Sequence, residues 1–213
     1  MIVSSGLVFV IDDDESIRKS LKRLLDAAYY RTELFKSASD FLCVAPYQGP
    51  SCVIVDVKMP GLDGIAFQEA LIERGRAEQL VFITGHGDVP MCAQAMKAGA
   101  VDFLPKPFKP AQLLESVKRA LTRSSEHHYR ASKRDGARAL LEKLTPREYQ
   151  VMQLVAAGLL NKQVGGELGM AEKTVKTHRA HMMQKLRITS VAELMVLLQK
   201  AEVTPPVRPG TKV

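Results

Sequence analysis

The chain is 213 residues long, with 46% apolar and 25% charged residues, a globular mix that excludes a disordered or collagen-like chain. No run approaches the ~18 uninterrupted apolar residues of a membrane span, and three scattered cysteines, Cys43, Cys52 and Cys92, exclude a disulfide framework or a zinc pattern. The net charge of +7 is uneven: residues 1–121 hold 14 basic and 15 acidic side chains, residues 122–213 hold 16 and 8, so only the second part suits a polyanion such as nucleic acid. The opening Met1-Ile2-Val3-Ser4-Ser5-Gly6 has no basic stretch and no small-residue cleavage site, and a cytoplasmic location without membrane attachment is expected.

Short apolar runs alternate with amphipathic stretches along residues 1–121. Leu7–Ile11 reads as a strand, followed by a helix with Ile17, Leu21, Leu24, Leu25 and Ala28 on one face. A weaker strand at Thr32–Phe35 and a helix near Ala38–Val44 come next, then Cys52–Val55, a helix over Asp63–Arg74, and Leu80–Ile83. A helix near Val89–Lys97, the run Val101–Leu104 and a helix over Pro110–Leu121 close the series. Continuous apolar strands of four or five residues are buried on both faces, which means a parallel sheet. Five such units predict a doubly wound, flavodoxin-like α/β domain with a five-stranded parallel sheet, whose ligand site lies beyond the carboxyl ends of the strands.

The residues at those ends are Asp12-Asp13-Asp14 after the first strand, Asp56 after the third, Thr84 after the fourth and Lys106 beyond the fifth. No glycine-rich phosphate loop follows the first strand, which disfavours a dinucleotide or P-loop site. Clustered carboxylates repel one another unless a cation lies among them. A hard divalent ion such as Mg²⁺ fits, taking one or two carboxylates together with a phosphate. Asp56 is then a candidate carboxylate nucleophile, with Thr84 to hydrogen-bond a phosphoryl oxygen and Lys106 to neutralise another. Cys52 reads as a small apolar strand residue, and His86 as a loop residue without catalytic work.

Four blocks, Val10-Ile11-Asp12-Asp13-Asp14, Val55-Asp56-Val57-Lys58-Met59-Pro60-Gly61, Ile83-Thr84-Gly85-His86-Gly87-Asp88 and Lys106-Pro107-Phe108, resemble the receiver domain of two-component response regulators. The resemblance implies that Asp56 accepts a phosphoryl group from a sensor histidine kinase. It implies a Mg²⁺ (or Mn²⁺) site formed by Asp13, Asp56 and the backbone carbonyl of Lys58, with Asp12 acting through water. It also makes Phe103 a switch aromatic and Lys106-Pro107 a cis peptide bond. Tyr29 stands where the family habitually has a glycine after the first helix.

Residues 122–143 are polar and basic and predict an exposed, partly helical linker. The neighbours His127 and His128 point to different sides of a helix and read as solvated. Four helical patterns follow over residues 144–200. Thr145-Pro146-Arg147-Glu148 is a capping box, opening a helix that buries Val151, Leu154 and Val155. Asn161 is expected to cap a second helix, Lys162–Leu168, ending at Gly169, and a helix, a short glycine turn and a helix form a helix-turn-helix. Gly165 and Gly166 inside that helix each cost up to ~1 kcal/mol relative to alanine. The third helix, about Ala171–Leu186, has Val175, Met182 and Leu186 on one side with His178 among them, and Lys173, Lys176, Thr177 and Ala180 on the other, a face suited to a DNA groove. Arg179 flanks both faces and can reach a phosphate. A last helix, Val191–Lys200, offers Leu194, Leu197 and Leu198 for packing or dimerisation, and the tail 201–213 is expected to be disordered.

Leu144-Thr145-Pro146-Arg147-Glu148, Gly158-Leu159-Leu160-Asn161-Lys162 and Lys173-Thr174-Val175-Lys176-Thr177-His178-Arg179 resemble the LuxR-type effector domain of the NarL/FixJ response regulators. Lys162, Lys173, Lys176, Thr177, Arg179 and Ala180 are the candidate DNA contacts; Ala180 stands where some members have a basic residue. Together the two resemblances imply a phosphorylation-dependent transcriptional regulator that dimerises, binds double-stranded promoter DNA and meets RNA polymerase, with no enzymatic activity beyond phosphoryl acceptance and autodephosphorylation. Two rival readings remain open: a phosphotransferase or phosphatase working through an aspartyl phosphate, and an adaptor whose basic helices bind a protein.

Overall fold

The computed structural model describes residues 6–85 and 89–206, and the chain divides into two compact units between Tyr129 and Arg130. The first contains strands β1 (Leu7–Ile11), β2 (Arg31–Phe35), β3 (Ser51–Asp56), β4 (Gln79–Thr84) and β5 (Asp102–Pro105). They form one parallel sheet in the order β2-β1-β3-β4-β5. Between them run helices α1 (Glu15–Ala27), α2 (Ala38–Cys43), α3 (Gly64–Glu73), α4 (Val89–Lys97) and, after β5, α5 (Pro110–Leu141).

Alternation along each strand sends side chains to opposite faces, and two separate cores result. Phe9, Val53, Val55 and Phe82 pack with Phe41, Phe67, Leu71 and Ala95 from α2, α3 and α4. Val8, Val10, Cys52, Ile54, Val81 and Ile83 pack with Leu21 and Leu25 of α1 and with Leu113, Val117 and Leu121 of α5. β1 and β3 are buried at every position, whereas β2 is an edge strand without a fully buried residue, which is why its sequence signal is the weakest of the five. Cys52 is buried, as expected, and burial raises its thiol pKa.

α1 opens on Asp14, whose carboxylate accepts from the backbone N–H groups of Ser16 and Ile17. Its end turns through Tyr29, which adopts a left-handed φ of 62° with its side chain exposed. That conformation costs a residue with a Cβ about 1–2 kcal/mol, and it explains what a glycine would do at this position.

The second unit contains the end of α5 with α6 (Pro146–Ala156), α7 (Asn161–Leu168), α8 (Glu172–Leu186) and α9 (Val191–Ala201). Its core gathers Val151, Val155, Val164, Val175, Met182, Leu186, Leu194 and Leu198. Residues 122–143 are largely exposed, as expected, but helical almost throughout rather than in part. The helix runs unbroken to Leu141, Ser124 is buried and its hydroxyl oxygen accepts from Ser51 N–H of the first unit at 2.9 Å, and Ala137 and Leu141 join the second core. α9 ends one residue later than expected, with Ala201 buried and Val203 packed on the core; of the expected disordered tail, residues 207–213 lie outside the described residues, as does His86. No helix among the described residues is long and apolar enough to cross a membrane.

Candidate functional site

Parallel register sets the acid pocket. Ile11 lies opposite Val55, so the residues that follow, Asp12 and Asp56, emerge side by side at the carboxyl edge of the sheet. Asp12 is fully buried; its Oδ1 accepts from Asp14 N–H at 2.9 Å and its Oδ2 from Lys106 Nζ at 3.0 Å. Lys106 Nζ also donates to Asp56 Oδ2 at 2.8 Å, while Asp56 Oδ1 accepts from Lys58 N–H at 3.3 Å. Asp13 is exposed, and one carboxylate oxygen from each of Asp12, Asp13 and Asp56 lies within 4.8 Å of the others.

One ammonium therefore ties together two carboxylates that would otherwise repel. Burial pushes the Asp12 carboxyl above its usual pKa, against the pull of the Asp14 N–H and of Lys106. Burial alone would lower the Lys106 pKa; its hydrogen bonds to Asp56 and Asp12 outweigh that and hold it above the ordinary lysine value. Lys106 N–H donates to the Thr84 carbonyl at 2.6 Å, which holds Lys106 beside the end of β4, and Lys106-Pro107 is the expected cis peptide bond. Thr84 is buried at the end of β4, and Phe103 is half-buried with its ring centroid 6.0 Å from that of Phe82. Lys58 extends its side chain into solvent.

Two residues at this pocket carry no motif signal of their own. Gly64 opens α3 directly against β3: a Cβ there would lie 2.7 Å from the Asp56 carbonyl oxygen, and Gly64 N–H donates to Val57 O at 2.8 Å. Arg18 of α1 donates from Nη1 to the Asp12 carbonyl at 2.5 Å. Neither contact is written in residue spacing, because each depends on how a helix lands on the sheet.

In the second unit the expected capping box forms: Thr145 Oγ1 accepts from Glu148 N–H at 3.3 Å, and Glu148 Oε2 accepts from Thr145 N–H at 2.8 Å. Glu148 is buried, and the same oxygen accepts from Lys185 Nζ of α8 at 2.6 Å. Burial would raise the Glu148 pKa, but Lys185 and Thr145 hold it below the usual carboxylate value. α8 is thereby tied at its C-terminal end to the start of α6.

The two faces of α8 separate as expected. Val175, Met182 and Leu186 are buried, His178 is half-buried, and Lys173, Lys176, Thr177 and Ala180 are exposed. Lys176 pairs with Glu172 at 3.0 Å, and Thr177 Oγ1 donates to Lys173 O at 3.2 Å. Lys162 is exposed on α7. Asn161 does not cap α7: Leu160 is the N-cap residue, its N–H donates to Gln163 Oε1 at 2.9 Å, and Asn161 is the first helical residue. Its Oδ1 instead accepts from Arg179 Nη1 at 3.0 Å, a partner 18 positions away that local spacing could not supply.

The two glycines of α7 also separate. A Cβ on Gly165 would lie 2.6 Å from the Met170 carbonyl oxygen, in the turn that brings α8 across α7, whereas a Cβ on Gly166 would meet nothing within 4 Å. Gly165→Ala should therefore destabilise the second unit by about 1–3 kcal/mol through overpacking against backbone. Gly166→Ala should stabilise it by up to about 1 kcal/mol through helix propensity alone. Urea unfolding of the two variants checks this, and equal shifts of the same sign would contradict it.

Comparison with known proteins matches residues 8–118 to the family described as response regulator receiver domain and residues 142–198 to the bacterial regulatory proteins of the luxR family. Nodulation protein W of Bradyrhizobium diazoefficiens is 43% identical over 192 residues, 90% of this chain and 85% of that protein. Transcriptional regulatory protein FixJ of the same organism is 39% identical over 204 residues, 94% and 98% of the two chains. Among solved structures, the response regulator StyR is similar at 46% identity and a TM-score of 0.83, covering 92% of this chain and 98% of that one.

Proposed function

The chain belongs to the NarL/FixJ-type response regulators, a receiver domain joined to a LuxR-type DNA-binding domain, and we propose that Asp56 is its phosphoacceptor and the exposed face of α8 its DNA-reading surface. As a member it is a DNA-binding transcriptional regulator of a two-component system, with a histidine kinase as its partner, and not an enzyme in the ordinary sense. The observation that carries the residue assignment is the Lys106 ammonium held between Asp12 and Asp56.

In the proposed step an Asp56 carboxylate oxygen attacks the phosphorus of a phosphohistidine. The P–N bond breaks, its electron pair stays on the imidazole, and an acyl phosphate results. Lys106, already within hydrogen-bond reach of Asp56, neutralises a phosphoryl oxygen, and Thr84 donates to another. The donor set is all oxygen and lies close together, which suits a hard divalent ion. Asp12, Asp13, Asp56 and the Lys58 carbonyl would hold Mg²⁺ or Mn²⁺. When bound, the ion offsets the negative charge that gathers as phosphate meets carboxylate. Water attack on the acyl phosphate would return the resting state.

Thr84 and Phe103 transmit the change to the surface around α4, β5 and α5, favouring a homodimer that occupies paired half-sites on promoter DNA in the cytoplasm and engages RNA polymerase. Lys162, Lys173, Lys176, Thr177 and Ala180 form the DNA-facing set. The test is binding of the full chain to promoter duplexes selected from random DNA, with and without acetyl phosphate and Mg²⁺. Tighter binding and a doubled mass after phosphorylation are expected, with affinity falling steeply as salt rises. Identical binding and mass in both states would refute phosphorylation control.

A further inference from the structure

The bond between Arg179 and Asn161 changes what Arg179 is for. Arg179 lies three positions after Lys176, about 60° round the helix, on the side that turns from the exposed face toward α7. It is half-buried, whereas Lys173, Lys176 and Thr177 are exposed. Its guanidinium donates to Asn161 Oδ1, on the first residue of α7. Arginine's planar fork holds a fixed direction where a lysine ammonium is a point donor. The bond therefore ties the middle of α8 to the start of α7, separately from the Glu148–Lys185 pair near the C-terminal end of α8.

It also fixes the Asn161 side chain. An amide has its acceptor and its two donors on opposite arms, so an oxygen held by Arg179 turns the NH₂ away from the guanidinium. That leaves a neutral donor beside exposed Lys162 and at the amino end of a helix whose N-cap residue, Leu160, has no side-chain acceptor to offer. A DNA phosphate is an acceptor of the kind such groups take.

We propose that Arg179 is a positioning residue: it holds Asn161 so that the first turn of α7 meets the DNA backbone in register with α8, and it does not itself bind a phosphate. The inference rests on the reading of α8 as the DNA-reading helix and adds Asn161 to the contact set. It replaces the expectation that Arg179 reaches a phosphate directly.

The experiment is a double-mutant cycle in the phosphorylated full chain, using the duplex enriched from random DNA by the native protein and a scrambled duplex. Arg179→Ala and Asn161→Ala should each weaken binding about tenfold. The double variant should be no worse than either single one, and the salt slope of Arg179→Ala should match the native slope. Arg179→Lys, which keeps the charge and loses the fork, should not restore binding. Urea unfolding of each variant separates lost binding from lost fold; a variant that fails to fold is replaced by Arg179→Lys, which must then bind as weakly for the proposal to stand. Additive losses, native-like binding by Asn161→Ala, or rescue by Arg179→Lys with a slope shortened by about one unit in Arg179→Ala would each make Arg179 a direct phosphate contact and overturn the proposal. If Lys173→Ala and Lys176→Ala both bind as the native chain does, the reading of α8 itself fails, and that failure is distinguishable from the first.

Discussion

Asp56→Asn is expected to take up no phosphoryl group from acetyl phosphate under conditions in which the native chain labels stoichiometrically. The substitution keeps the shape of the side chain and an oxygen for Lys106, so the pocket should remain assembled. It removes the negative charge that makes the oxygen a nucleophile, and a neutral amide has no comparable reactivity. Asp12 cannot replace it, because it is fully buried and its two oxygens are already engaged by Asp14 N–H and Lys106. Asp13 is accessible, but the described residues give it no lysine partner like the one that joins Asp12 and Asp56. Chelating divalent ions should abolish labelling of the native chain as well, since among the described residues Lys106 is then the one cation paired with Asp56 to offset the charge of the approaching phosphate. Radiolabel incorporation with peptide mapping decides the matter. Labelling of Asp56→Asn at the native rate on another carboxylate would show that the nucleophile lies elsewhere.

The parts of this molecule that the sequence makes legible are those in which one residue type answers to one local demand. Runs such as Leu7–Ile11 and Cys52–Val55 are apolar at every position because the strands are buried on both faces, and the chemistry at their ends follows from chain direction alone. The capping box at Thr145 and Glu148 is likewise a four-residue pattern. What escapes is whatever depends on two elements meeting. Gly165 reads as a helix weakness, yet the approach of the Met170 carbonyl requires it. Asn161 reads as a cap until Arg179 claims its oxygen. Glu148 reads as a cap and nothing more, although it also anchors α8 through Lys185.

The same blindness hides where the second unit begins. After Leu121 the sequence turns polar, and Gly136 looks like an interruption. A single glycine costs a helix only about 1 kcal/mol, and α5 continues through it to Leu141. The apolar signal of that last stretch is sparse, but Ala137 and Leu141 are one helical turn apart and share a face.

A fragment of residues 130–213 is therefore expected to fold cooperatively, and one of residues 144–213 to melt at least ~15 °C lower or not to fold. Ala137 and Leu141 are at most 7% exposed and belong to the core that holds Val151, Met182 and Leu198. Removing them exposes apolar surface worth about 3 kcal/mol. The cut also removes Arg138, whose Nε donates to the Ala201 carbonyl at 3.0 Å and closes the end of α9, for about 1 kcal/mol more. The ion pairs of Arg134 and Arg138 with Glu202, at 3.8 and 3.6 Å, are exposed and contribute little. A total of about 4 kcal/mol is a large share of the stability of a domain this small, and each kcal/mol moves the midpoint by about 4–8 °C. Within the full chain, Leu141→Ala isolates the packing contribution and should cost the second unit about 2–4 kcal/mol, while phosphorylation of Asp56, which lies in the other unit, proceeds unchanged. Calorimetry of the two fragments and of the variant supplies the measurement. If the shorter fragment melts with the longer one, the end of α5 only rests on the second core, and the folding unit begins at Leu144 after all.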